Sequence, residues 1–228
     1  MALYERDYTS TEIGYVQEGA SISFMKQTYW LLATSMLTAA AGAYLTLPYV
    51  NTIMQFKWPL FIFVNLMLWF GFGLTRNKPI LNIISLFIFT LATGVMLVPM
   101  IVSFLGAGKG AVIGNAFLMT AVLFGALSLF ALNSKKDYSS WGKPLVVTMF
   151  VVFISALVNV LFFHSPIFSV IFSSAWLLIF GLFTIYDTQN IANGAYSSPI
   201  DAAISLYVDF FNMFTSMLHL LGIFGSDD

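Results

Sequence analysis

The sequence predicts an all-α integral membrane protein, a bundle of seven transmembrane helices. Three observations carry that prediction. Charge is scarce: 59% of the 228 residues are hydrophobic and 8% are charged, where a soluble domain carries roughly 25%, so most of the outer surface must face lipid rather than water. The apolar residues gather into seven separate stretches. Prolines stand near the starts of five of them.

The stretches cover 27–49, 58–75, 80–104, 111–132, 144–163, 166–186 and 200–224. Each is about 18 to 25 residues long, which at about 1.5 Å per residue suits a hydrocarbon core of roughly 30 Å. Pro59, Pro79, Pro144, Pro166 and Pro199 lie near span starts, where the missing N–H has no intrahelical partner to lose. Pro48 lies near the end of the first span, and Pro99 falls inside the third, where a bend is expected. Before the first span, residues 1–26 carry Glu5, Asp7, Glu12 and Glu18 without an early apolar core. They read as a polar tail, partly helical near residues 16–25, and not as a cleavable secretion signal. Two regions result: a polar cytoplasmic tail over 1–26 and the seven-helix domain over 27–228.

Basic residues set the orientation. With the N-terminus and the even-numbered loops on one side, that side holds Arg6, Lys26, Arg76, Lys78, Lys135, Lys136 and Lys143, and the other holds Lys57 and Lys109. The excess of basic residues places the first side in the cytoplasm. The expected location is a multi-pass position in a membrane, with the N-terminus inside.

The composition also excludes several chemistries. The chain has no cysteine, so disulfides, thiolate metal sites and thiol nucleophiles are absent. A net charge of −1 offers no footprint for nucleic acid. The glycine-rich turn at 104–111 reads GAGKG in part, but Gly110 follows Lys109 where a phosphate loop needs Ser or Thr. His164, in a loop, and His219 are too far apart in sequence for a zinc motif. No nucleophile triad or dinucleotide fingerprint is present, so an enzyme and a tightly bound cofactor are not expected.

The last span carries the chemistry. Its polar residues are Asp201, Ser205, Asp209, Asn212, Ser216 and His219, at intervals of 4, 4, 3, 4 and 3. That spacing puts all six on one helical face. Ser205 and Ser216 fit a polar seam between helices; His219 fits either an exit path or a packed histidine. Asp209 is different. It lies about 10–13 Å along the helix from the cytoplasmic end, and a charged carboxylate at such depth costs about 2.5–3.5 kcal/mol on insertion scales. Asp187 ends the sixth span on the same side and points inward if the helix continues past Thr188. The short linker 193–199 makes the sixth and seventh spans antiparallel neighbours.

Two carboxylates a few ångströms apart in low dielectric do not both ionise; they share a proton and titrate as a unit. Rising pH removes that proton and acid restores it. Two chemistries fit such a pair: a proton-linked switch, or oxygen ligands for a hard cation such as Ca²⁺. Protease chemistry ranks low, because Thr188 and Gln189 follow Asp187, and Phe210 and Phe211 follow Asp209, with no glycine-containing aspartate motif. Arg76 ends the second span on the cytoplasmic side, where its guanidinium suits a carboxylate across the mouth of the bundle; simple topology explains it equally well.

The segments IYDTQNI around Asp187, LYVDFFNMF around Asp209 and the terminal GIFGSDD resemble the Bax inhibitor-1 family, also called the transmembrane BAX inhibitor motif family. The likeness takes in the Arg76 region and the pattern from Gly94 to Pro99. The resemblance implies seven helices with the last near the centre, and a calcium leak that responds to pH. It implies that the aspartates matching Asp187 and Asp209 sense protons on the ion path. It further implies that the arginine matching Arg76 latches onto the first aspartate, so that protonating Asp187 favours an open state. The chain ends in Asp227 and Asp228 rather than a lysine-rich tail, as suits a bacterial-type member of the cytoplasmic (inner) membrane. The expected partners are the lipid bilayer, calcium ions and protons. The alternative is a non-conducting protein that modulates a membrane protease or a stress or cell-death pathway through a membrane protein partner.

Overall fold

The computed structural model describes the backbone of residues 10–224 and the side chains of residues 21–223. Every regular element among them is helical. The long helix α1 (Ser10–Thr46) continues through a 3-10 turn at Leu47–Tyr49 into the short α2 (Val50–Gln55). The second span is α3 (Lys57–Leu66), a π-helical turn at Met67–Gly71 and α4 (Phe72–Thr75). Then follow α5 (Pro79–Gly106), α6 (Gly110–Asn133), α7 (Gly142–Val158) with a π-helical turn at Asn159–Phe163, α8 (Pro166–Ala192) and α9 (Pro199–Phe224).

Seven segments are long and apolar enough to cross a membrane: Ser21–Gln55, Lys57–Thr75, Pro79–Gly106, Gly110–Asn133, Ser139–Phe163, Pro166–Ala192 and Pro199–Ile223. These are the seven expected spans. The first span runs on to Gln55 rather than 49 and the fifth starts at Ser139 rather than 144, and two further boundaries differ. Helix α1 begins at Ser10, so the region expected as a partly helical tail is helical from there on; residues 1–9 lie outside the described residues. Helix α8 runs six residues past the expected end at 186, to Ala192, which puts Asp187 inside the helix.

Centrality follows from burial. Buried residues make up 44% of the apolar window of the last span but 11% in the second and fifth. Helix α9 packs against α1, α5, α6 and α8, while α7 leans on α8 and the α3–α4 span on α5. Around α9 the core is built by Leu86, Phe89, Phe124, Phe180, Tyr207 and Met213. The outward faces carry large apolar side chains, among them Leu37, Leu129, Ile154 and Leu178. Lipid is as apolar as these residues, so the bundle is held by close packing and interhelical hydrogen bonds more than by the hydrophobic effect.

The α1–α5 crossing is an instance of that packing. A Cβ placed on Gly94 would collide with the backbone carbonyl of Ala39, and one on Gly42 would lie 2.6 Å from the carbonyl oxygen of Leu91. Each helix thus offers a glycine to the backbone of the other, and no side chain fits at either position.

The ends of the bundle differ. One end carries Arg76, Lys78, Lys135 and Lys136 in its connections and Lys143 in the first turn of α7 and is called here the basic end. It also holds the α8–α9 linker.

Candidate functional site

Asp187 and Asp209 meet inside the bundle. Asp187 is 6% exposed and Asp209 3%, and their carboxyls are within hydrogen-bonding reach of each other. Asp187 lies about 8 Å from the end of α8 and Asp209 about 15 Å from the start of α9 by helical rise, so both are set back from the basic end. The buried Oδ2 of Asp209 receives no N–H or O–H donor among the described residues. A carboxyl oxygen so placed is satisfied by a proton held between the two groups or by a cation.

The pair has one phenol beside it, which the sequence pattern did not single out. The Tyr196 hydroxyl donates to Asp187 Oδ1 at 2.8 Å and is hydrogen-bonded with Ser205 Oγ at 2.9 Å. Tyr196 lies in the linker between the spans. Burial, and next the Asp187 carboxylate, push its phenol above the ordinary tyrosine range, so it remains a protonated donor across the physiological range. The linker reaches this position through a tight helix end: Gly194 takes φ +71°, and Asn193, Gly194 and Ala195 return their N–H groups to Gln189, Ile191 and Asn190. A glycine just past the last helical turn favours that geometry.

The neighbours of Asp187 in its motif have structural partners. Thr188 donates to Ser128 of α6 at 3.3 Å. Gln189 accepts from the Tyr138 N–H at 2.6 Å and donates to the Lys136 carbonyl at 2.8 Å, tying the α6–α7 connection to α8. With these contacts made, the helix continues through polar residues and turns Asp187 inward.

Arg76 makes a different contact from the latch expected with Asp187. Its Nε lies 2.9 Å from Asp201 Oδ2, and its Nη2 donates to Ser197 Oγ at 3.1 Å. Asn82 donates to the other Asp201 oxygen at 3.1 Å, and Thr75 donates to Asn82 Oδ1 at 3.3 Å. The reason is position. Arg76 follows the last residue of α4, at the rim, and Asp201 sits in the first turn of α9 at the same rim, whereas Asp187 is set deeper beneath Tyr196. The arginine therefore closes the rim over the pair without touching it.

The rest of the α9 stripe runs away from the basic end. Asn212 donates back to the Val208 carbonyl at 2.8 Å, Ser216 is buried, and His219 Nδ1 lies 2.9 Å from Ser173 Oγ of α8. His219 also faces a pocket of about 390 Å³ with Asn159, His164 and Ser169, so His164 borders a cavity as well as the surface. Fully buried Met213 and Leu218 lie along α9 between Asp209 and that pocket. Among the described residues no three of His, Asp and Glu gather as a metal site. A calcium ion at the pair would draw two carboxylates, the Ser205 oxygen and water toward its usual six to eight ligands.

The family model described as "Inhibitor of apoptosis-promoting Bax1" matches residues 22–226, which span all seven helices and both aspartates. The chain belongs to the Bax inhibitor-1 family. Within it, this member is 42% identical over 232 residues to an uncharacterized protein of Helicobacter pylori, covering 100% of both chains. It is 35% identical over 207 residues to YccA of Escherichia coli, covering 89% of this chain and 91% of that one. YccA is named a modulator of FtsH protease in one strain and an inner membrane protein in another. A Golgi anti-apoptotic protein of vaccinia virus is 30% identical over 211 residues, covering 89% of this chain and 86% of the viral one. The family member described here is thus a multi-pass membrane protein with bacterial and viral relatives.

Proposed function

We propose that this family member is a pH-sensitive cation leak with calcium as the permeant ion, in which Asp187 and Asp209 together hold either a proton or the cation. The observation that carries the reading is the buried pair itself, with a carboxyl oxygen of Asp209 that no donor among the described residues satisfies. Ionised carboxylates at this depth are costly, and a shared proton or a bound cation removes the cost. The sign follows from competition at the pair and runs opposite to the acid-opened latch that the resemblance implies, because Arg76 is paired with Asp201: rising pH removes the shared proton and readies the pair for a divalent cation, and acid returns the proton. The charged and titratable groups around the pair are Tyr196 on the linker and, at the rim, Arg76 with Asp201. The stripe toward His219 and the pocket beyond it supply the direction of travel. In this reading the basic end faces the cytoplasm of a bacterial cell and the protein sits in the inner membrane, as the excess of basic residues at that end favours.

Calcium flux into liposomes loaded with an indicator, measured between about pH 6 and 8, tests the reading. Asp209→Asn is expected to cut flux by about tenfold, equivalent to about 1.4 kcal/mol of barrier. Asp187→Asn is expected to flatten the pH profile. Equal flux from the wild type and Asp209→Asn at every pH would remove the pair from the path.

The second reading, a non-conducting modulator of a membrane protease, is favoured by the name of the YccA relative. Deleting residues up to Gln17 separates the two. Loss of a cellular phenotype with calcium flux intact in liposomes favours the partner reading.

A further inference from the structure

The linker between α8 and α9 is fastened to the bundle at three successive places. Tyr196 reaches inward to Asp187 and Ser205. Ser197 is held by Arg76. Asp201, one turn into α9, is held by Arg76 and Asn82. The first contact is inside the bundle and the others are at its rim, so a single arginine at the end of the second span grips the chain at two points just after the tyrosine.

We propose that Tyr196 is the gate at the basic-end entrance to the aspartate pair and that Arg76 holds it shut through Ser197 and Asp201; the inference rests on the pair lying on the ion path. The tyrosine is suited to this. Its ring is half-buried and its hydroxyl occupies the coordination space beside Asp187 and Ser205, so a cation arriving from the basic end meets the phenol first. Its backbone lies outside both helices, so it can swing away without unwinding α8 or α9. The Arg76 side chain is 58% exposed, and its contacts are the rim contacts that an opening motion must break. The arginine is therefore a positioning residue acting through the linker, and the tyrosine is the group that blocks access.

The chain has no cysteine, so one engineered thiol reports on access. Ser205→Cys, reconstituted in vesicles, is challenged from the basic end with a membrane-impermeant thiol reagent. Adding Tyr196→Ala or Arg76→Ala is expected to speed labelling by about tenfold, the factor that loss of one ordinary hydrogen bond gives to an opening equilibrium. Tyr196→Phe keeps the ring and is expected to fall between. Because Arg76 is mostly exposed and lies away from the pair, Arg76→Ala keeps the test decisive if Tyr196→Ala folds poorly. Equal labelling rates in all four proteins overturn the gate, whatever the flux. Calcium flux through vesicles of the wild type and of the same Tyr196 and Arg76 variants, all with Ser205 intact, separates the two ideas. Faster labelling with raised flux supports the gate. Faster labelling without flux in any variant, wild type included, overturns the gating of ions and the path with it, leaving a seal over a site that does not conduct. Wild-type flux with unchanged labelling overturns the gate and leaves the path standing.

Discussion

Arg76 and Asp201 form an ion pair between one mostly exposed and one mostly buried partner, with side-chain exposures of 58% and 14%. Pairs near water contribute little to stability, so the coupling energy from a double-mutant cycle of Arg76→Ala and Asp201→Ala is expected at about 1 kcal/mol or less; a larger value would make the pair a structural strut instead of a releasable clasp. Asp201, Asp209 and Asp187 were legible in the sequence because helical spacing and the cost of buried charge single them out. The partner of Arg76 was not, because two carboxylates compete near one end of the bundle and only the course of the linker decides between them. Tyr196 escaped for a related reason: a six-residue connection has no period, and its one signal is a lone aromatic among Gly, Ala, Asn and Ser.

At the scale of the helices, the seven spans were legible from apolar runs and prolines with ends good to about six residues, and the polar end of α8 is among the ends they missed. Asp187, Thr188, Gln189 and Asn190 in succession look like a helix entering water. They stay helical because Thr188 and Gln189 find partners on α6 and the α6–α7 connection. Gln189→Ala strands the buried Tyr138 N–H and is expected to cost about 1–3 kcal/mol, read as reduced resistance to denaturant in detergent. The α1–α5 crossing makes a sharper demand. Gly94→Ala drives a methyl group into the Ala39 backbone, and overpacking of this kind costs about 1–3 kcal/mol. The same assay checks it, with Gly73→Ala as a control, since a Cβ there meets nothing within 4 Å. Single residues of one sequence gave no hint of Gly42, because a small residue facing another helix looks like any other small residue until the partner backbone is placed beside it.

For the molecule as a whole, composition alone decides that the chain lives in lipid, and the central position of α9 suits the polar face that runs along it. A polar stripe cannot face acyl chains, so the remaining helices close around it. That arrangement carries the deepest acidic side chain to the middle of the bundle and sets a second one, from α8, against it. In the proposed leak these two carboxyls share a proton that calcium displaces. Infrared difference spectroscopy of the protein in lipid, recorded between about pH 6 and 8 with and without calcium, reads the protonated carboxyl directly. A protonated-carboxyl band that is lost as pH rises, is lost at constant pH on adding calcium, and is missing from Asp209→Asn is the predicted result. A band that ignores calcium, or one that persists unchanged in both Asp187→Asn and Asp209→Asn, would contradict the account.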